Sequence, residues 1–212
     1  SMPRKPAHLQ EDTLSTLKAE AFELFGRYGY EGVSIGDIAK RARLSKGALY
    51  WHYDGKAALY LDCLKHLHSI FNEDVFEPMR GAADGASGMV LMFQGLLRLF
   101  ADPRLQKGVA GYWLTPSTPE TAVIFEAQRD FENASREVIA GSLRKGVAAG
   151  QFTLGDDLDD MARAIISIIE AIILPMRHQT PEEIRPQIGV LARTLFRAYA
   201  KDETLKKLVN AL

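Results

Sequence analysis

Residues 34–56 read Ser-Ile-Gly-Asp-Ile-Ala-Lys-Arg-Ala-Arg-Leu-Ser-Lys-Gly-Ala-Leu-Tyr-Trp-His-Tyr-Asp-Gly-Lys, the pattern of two short helices joined by a tight turn. Ser34 and Asp37 have the spacing of a capping box, in which each side chain satisfies a free backbone N–H of the first turn. Ile35, Ile38, Ala39 and Ala42 then follow at the spacing of one buried helical face. Arg43-Leu44 closes this helix, and Ser45 caps a second one reaching about His52. There Ala48 and Leu49 face a core, which leaves Lys46, Gly47, Tyr50, Trp51 and His52 to point outward.

That outward set carries aromatic rings, an imidazole and no acid, whereas a solvated face normally carries Lys, Glu and Gln. Between Lys40 and Lys46 stand four cations and no anion. A helix of this size fits the major groove of B-DNA, its side chains at base edges and the flanking cations and N–H groups at phosphates. The alternative is that Tyr50 and Trp51 are core residues and the cations solvate a face.

The stretch from Leu17 to Leu59 resembles the amino-terminal domain of the TetR family of bacterial transcriptional regulators. The resemblance is carried by Leu24-Phe25, Tyr28-Gly29-Tyr30, Ser34-Ile35, Asp37-Ile38-Ala39, Leu44-Ser45-Lys46-Gly47-Ala48-Leu49-Tyr50, His52-Tyr53, Lys56 and Leu59. It implies that the second helix of the motif enters the major groove, and that a larger helical domain behind it binds a small effector and dimerises. The resemblance fades after about residue 65. Family members usually carry glycine where Arg43 stands. If Arg43 is left-handed, the strain is roughly 1 kcal/mol relative to glycine, and a guanidinium that reaches a phosphate would account for it. Gly55 stands where serine is common, and is an acceptable cap beside Asp54.

The 212 residues, 47% apolar, can hold one large domain or two modest ones and rule out wholesale disorder. The net charge of −1 does not announce a nucleic-acid partner, but its distribution is informative. Residues 1–60 hold nine Lys/Arg and seven Asp/Glu, with the cations gathered at 40–46. Cys63 stands alone, so no intrachain disulfide forms. No signal peptide precedes the first helix, and the most apolar run, Ala164 to Leu174, is interrupted by Ser167 and Glu170 and too short to span a bilayer. A soluble, cytoplasmic protein is expected.

Taken in order, residues 1–10 read as a flexible basic arm, 11–55 as the DNA-binding domain, and 56–212 as the effector-binding and dimerisation domain. A first helix over about 11–28 stops at Gly29. A long helix from Lys56 to about Phe76 ends before Pro78, and its free N–H groups and Lys56 side chain form a phosphate clamp. Arg80 to Gly88 reads as a linker. Helices follow over 89–100, 105–114, from Ser117-Thr118-Pro119-Glu120 to about 149, from Asp156 or Asp157 to about 178, and from Thr180 to about 201. Nothing alternates with period two, so the fold class is all-α.

The helix after Asp157 is apolar on more than one side, and the helix after Thr180 shows similar excess. Ile165, Ile169, Ile172, Ile188, Leu191 and Leu195 are therefore expected to form half of a four-helix interface in a C2 homodimer. Such a dimer reads a palindromic operator with half-sites about 34–36 Å apart. Candidates for a largely apolar effector site are Phe71, Met92, Phe93, Leu96, Phe100, Trp113, Phe125, Phe131 and Met176. Glu170, an acid in the most apolar helix, needs a partner, for which Arg177, Arg129 or a cationic ligand could serve.

No catalytic residues, cofactor or metal are expected. His66 and His68 point to different helix faces, and Cys63 lacks a positioned base. The function read from the sequence is a ligand-responsive DNA-binding regulator, a repressor released from its operator by a small molecule. The alternatives are an activator or co-repressor-dependent regulator of the same fold, or a helical ligand-binding protein that has lost DNA binding. Lys46, Tyr50, Trp51 and His52 would contact bases, and Ser34, Arg43, Ser45 and Lys56 phosphates.

Overall fold

A computed structural model describes residues 7–174 and 178–211. The chain divides into two compact units, Ser1–Leu67 with Lys107–Ala127 and His68–Gln106 with Gln128–Leu212. Among the described residues no strand forms, and a single antiparallel bridge pairs Phe152 with Ala200.

In the first unit α1 (Ala7–Tyr28) begins earlier than the sequence suggests, so part of the expected arm is helical, and the rest of that arm lies outside the described residues. Gly29, at φ 76°, ends α1 in the left-handed region that glycine adopts without penalty. α2 (Ile35–Arg41), α3 (Lys46–His52) and the first part of α4 (Lys56–Phe71) complete the motif. Leu17, Phe25, Ile38, Leu49, Leu59 and Tyr60 are fully buried and form its core.

The compact unit extends past the boundary expected at residue 55. Lys107–Ala127 joins it, through a 3₁₀ turn at Ala110–Trp113 that packs on α1. The approach is backbone to backbone: a Cβ on Gly26 would lie 2.3 Å from the Gly108 carbonyl oxygen, and one on Gly111 2.0 Å from that of Phe25. The Tyr112 hydroxyl donates to the Phe22 carbonyl at 2.8 Å, and the Tyr60 and Thr115 hydroxyls pair at 2.8 Å.

In the second unit the helix expected to reach residue 76 changes pitch at Phe71. A π-helical turn (Asn72–Phe76) leads into α5 (Glu77–Arg80), with Pro78 in its first turn rather than beyond a helix end. The Asp74 carbonyl accepts from Arg98 at 2.6 Å, and a Cβ on Gly95 would come within 2.3 Å of the same oxygen. α6 (Gly85–Ala101) starts within the stretch expected to be a linker. Asp84 caps it by accepting from the Ser87 N–H at 2.7 Å. Gly85 and Gly88 are helical because α6 packs against Ser142 and Gly146 of α7 (Ala122–Ala148), where a Cβ on Gly85 would lie 2.2 Å from a carbonyl oxygen.

α8 (Leu158–Ile173) is capped by Asp157, and α9 (Pro181–Tyr199) by a closed capping box of Thr180 and Glu183. A last helix, α10 (Asp202–Asn210), follows α9. The expected dimer surface needs correction. Ile165, Ile169 and Ile188 are buried in the chain's own core, because each sits on the inward stripe of its helix. Ile172, Leu191 and Leu195 stay half exposed, with Leu174 and Val190 exposed beside them.

Candidate nucleic-acid interface

The capping box at the start of α2 is closed. The Ser34 N–H donates to Asp37 Oδ2 at 2.9 Å and the Asp37 N–H donates to Ser34 Oγ at 3.0 Å. The Ser34 backbone N–H foremost, and then the Ser34 hydroxyl beside it, hold the Asp37 carboxyl below the usual carboxylate range. The turn to α3 passes through Arg43 at φ 56°, the only non-glycine residue at positive φ among those described. The left-handed conformation lets Leu44 N–H bond back to the Ala39 carbonyl at 2.8 Å, closing the helix as a glycine would.

Ser45 caps α3, its Oγ accepting from the Ala48 N–H at 3.1 Å. Leu49 is fully buried and anchors the helix, while Tyr50 and Trp51 are 50% and 69% exposed. These rings are therefore not core residues. Lys46 and Gly47 are also exposed, and the Lys46 stem lies over Gly36, where a Cβ would meet Cε at 3.1 Å. His52 is half-buried, its ring edge-on to Trp51 at 5.3 Å.

Two cations differ from their expected disposition. Arg41 is bound within the unit, its Nε donating to Glu20 at 3.0 Å and a terminal nitrogen pairing with Glu23 at 3.4 Å. The Glu20 charge foremost raises its pKa. Lys56, expected to clamp a phosphate, donates to the carbonyls of Tyr30 at 2.9 Å and Val33 at 3.2 Å, with its ammonium 4.2 Å from the centre of the Tyr30 ring. Its acceptors lie 26 and 23 residues earlier, so no local pattern could reveal them. Tyr53 was also missed: its hydroxyl donates to Asp62, which pairs with Lys18 at 3.2 Å, fastening the end of α3 to α4 and α1.

The effector candidates fall in several places. Phe71 and Phe131 meet at 6.0 Å, with Phe76 edge-on to Phe131 at 6.0 Å and the buried His68 ring stacked on Phe131 at 4.0 Å. Gln128 donates to Glu132 at 3.0 Å, so its oxygen takes the 3.0 Å bond with His68 Nε2, which therefore carries the hydrogen. Burial lowers the His68 pKa to about 4, against the opposing pull of Gln128. Met92, Phe93, Leu96 and Phe100 are buried along α6, where Phe93 meets the Phe196 ring at 5.6 Å. Trp113 and Phe125 belong to the first unit, Phe125 and Arg129 are exposed, and Glu170 is half-buried on α8. Met176 and Arg177 lie outside the described residues.

Residues 17–63 match the model of the bacterial regulatory proteins, tetR family. The chain is 28% identical over 148 residues to the uncharacterised HTH-type transcriptional regulator YezE of Bacillus subtilis, covering 68% of this chain and 75% of that protein. It is 40% identical over 45 residues to the biofilm operon negative transcriptional regulator IcaR of Staphylococcus aureus, but over only 21% of this chain and 24% of that one. In fold it is similar to a TetR regulator from Chloroflexus aurantiacus (TM-score 0.76, 22% identity, 92% of this chain and 100% of that one). It is also similar to SmeT in its complex with triclosan (TM-score 0.73, 21% identity, 91% and 94%). The segment 17–63 thus matches the bacterial regulatory proteins of the tetR family, and the helical fold is similar to that of a TetR regulator over nine-tenths of the chain.

Proposed function

We propose that the protein is a homodimeric repressor that binds a palindromic operator through α3 and leaves it when a small, largely apolar molecule binds the second unit. The observation that carries this reading is α3 itself: a capped helix, anchored by Leu49, that exposes Tyr50 and Trp51 beside Lys46 with no acid on it. Tyr50, Trp51, His52 and Lys46 read base edges; Ser34, Arg43 and Ser45, with the N–H groups opening α4, hold phosphates.

Repression is supported by the description of IcaR as a negative regulator, and a small effector by the triclosan bound to SmeT. The aromatic cluster of Phe71, Phe76 and Phe131 around His68 is the place in this chain whose chemistry suits such a molecule. The half-exposed Ile172, Leu191 and Leu195, with Leu174 and Val190, form the dimer contact. An effector that prefers one spacing of the recognition helices by about 1–3 kcal/mol switches operator occupancy. No described helix is long and apolar enough to cross a membrane, and the protein acts in the cytoplasm, on DNA and without catalysis.

Selection of bound duplexes from a random library at moderate salt tests this. A palindrome with two half-sites is the expected result, lost in Tyr50→Ala. No enrichment at any salt would overturn operator binding by the unliganded protein.

A further inference from the structure

Lys56 is the first residue of α4, yet its ammonium turns back toward the turn that precedes α2. Of the two carbonyls it satisfies, that of Val33 belongs to the peptide group whose nitrogen is Ser34. That nitrogen's hydrogen donates to Asp37 in the capping box. The Val33–Ser34 peptide is a rigid plane, so it is held at both ends, its C=O by Lys56 and its N–H by Asp37. The second carbonyl, of Tyr30, and the face of the Tyr30 ring fix the other end of the same turn. Tyr30 and Val33 are themselves buried, so the turn has little room to settle elsewhere.

We infer that Lys56 is a positioning residue for DNA binding: it locks the Tyr30–Ser34 turn to the start of α4 and so sets the angle at which α2, and α3 after it, are presented. This rests on the DNA-binding reading above. Its reach explains the residue type. Four methylenes carry the charge from α4 to two carbonyls at once, and the compact ammonium offers separate donors to both. An arginine keeps the charge but presents a flat fork, which cannot reproduce donation to two carbonyls of one turn beneath a ring.

The test separates a lock from a phosphate contact. Binding of wild type, Lys56→Met and Lys56→Arg to the duplex recovered from the random library is measured across salt, with amide exchange at Ser34 and Asp37. A lock predicts that Lys56→Met weakens binding about tenfold and speeds exchange at both amides while the slope of log K against log salt stays unchanged. Lys56→Arg should behave in the same direction, since charge alone does not restore the bonds. A slope reduced by about 0.9 in Lys56→Met with exchange unchanged would show a phosphate contact and overturn the proposal. Full rescue by Lys56→Arg would overturn it too. If wild type binds no duplex, the DNA-binding reading fails by itself. Faster exchange in Lys56→Met then still supports the lock, and unchanged exchange overturns it. Should Lys56→Met fail to fold, Lys56→Gln gives the same reading.

Discussion

α2 and α3 are matched in length, at seven residues each, and both are capped by a serine, yet their side chains face opposite duties. α2 buries Ile38 and Ala39, closes its capping box with Asp37, and has Arg41 tied back to Glu20 and Glu23 on α1. α3 buries Leu49 alone and leaves Tyr50 and Trp51 in solvent. The contrast shows what separates scaffold from reading surface in a small helical motif. A helix whose carboxylate and guanidinium are answered inside the unit has less left to offer a partner. One that shows solvent its rings and an ammonium bound to no acid has surface to cover.

The largest expected effect tests how much of α3 hangs on one residue. Leu49→Ala should lower stability by about 2–5 kcal/mol in urea unfolding, since it opens a cavity at the only fully buried side chain of that helix. An effect below 1 kcal/mol would mean that α3 is held from elsewhere. Next, Tyr50→Ala should weaken operator binding by about 1–3 kcal/mol with the melting temperature unchanged. Arg41→Ala should do the reverse, shifting the melting temperature slightly and leaving the salt slope of binding alone. Matching effects from the two would erase the distinction between the helices.

Arg43 sits between them. Arg43→Gly should gain roughly 1 kcal/mol by removing the left-handed strain, and should reduce the salt slope by about 0.9 if the guanidinium holds a phosphate. A gain in stability with the slope unchanged would make the side chain a bystander.

The smallest effect asks whether charges are answered as fully in the second unit. Asp74, in the π-helical turn, is pushed up to about 6 by burial and then by its hydrogen bond with the Asp102 carboxyl. Asp102 is held down to about 2, chiefly by Arg104, whose guanidinium reaches it at 2.7 Å. A folded-state pKa above the unfolded one means that folding binds a proton between about pH 4 and 6, so stability falls as pH rises through that window. Asp74→Asn, whose amide supplies the hydrogen permanently, should melt above wild type at pH 7, with the difference shrinking toward pH 4. A difference independent of pH would mean that Asp74 does not titrate there.

What could be read from the chain beforehand was local. The Ser34–Asp37 box, the Ser45 cap, the left-handed Arg43 and the buried Leu49 all follow from residues within a turn or two of each other. What could not be read was carried by long-range contacts. Gly85 and Gly88 look like linker residues until α7 supplies the backbone they lie against. Arg41 looks like a free cation until Glu20 and Glu23 are brought to it. The apolar candidates for an effector site could not be separated from core, because the sequence pattern that lines a cavity also fills one. The same holds for Ile165, Ile169 and Ile188, whose spacing suits a partner's surface as well as the chain's own interior.

The backbone approach of Gly26 to Gly108 and of Gly111 to Phe25 has a consequence in time. During synthesis, residue 67 leaves the ribosome about forty residues before the segment that completes the unit begins to appear. At roughly 5–20 residues per second, the helix-turn-helix waits about two to eight seconds without the Tyr112 hydroxyl on Phe22 or the Thr115 partner of Tyr60. A nascent chain in that interval has its motif but not its full core, and a gene fragment cut at residue 67 would stay in that condition for good.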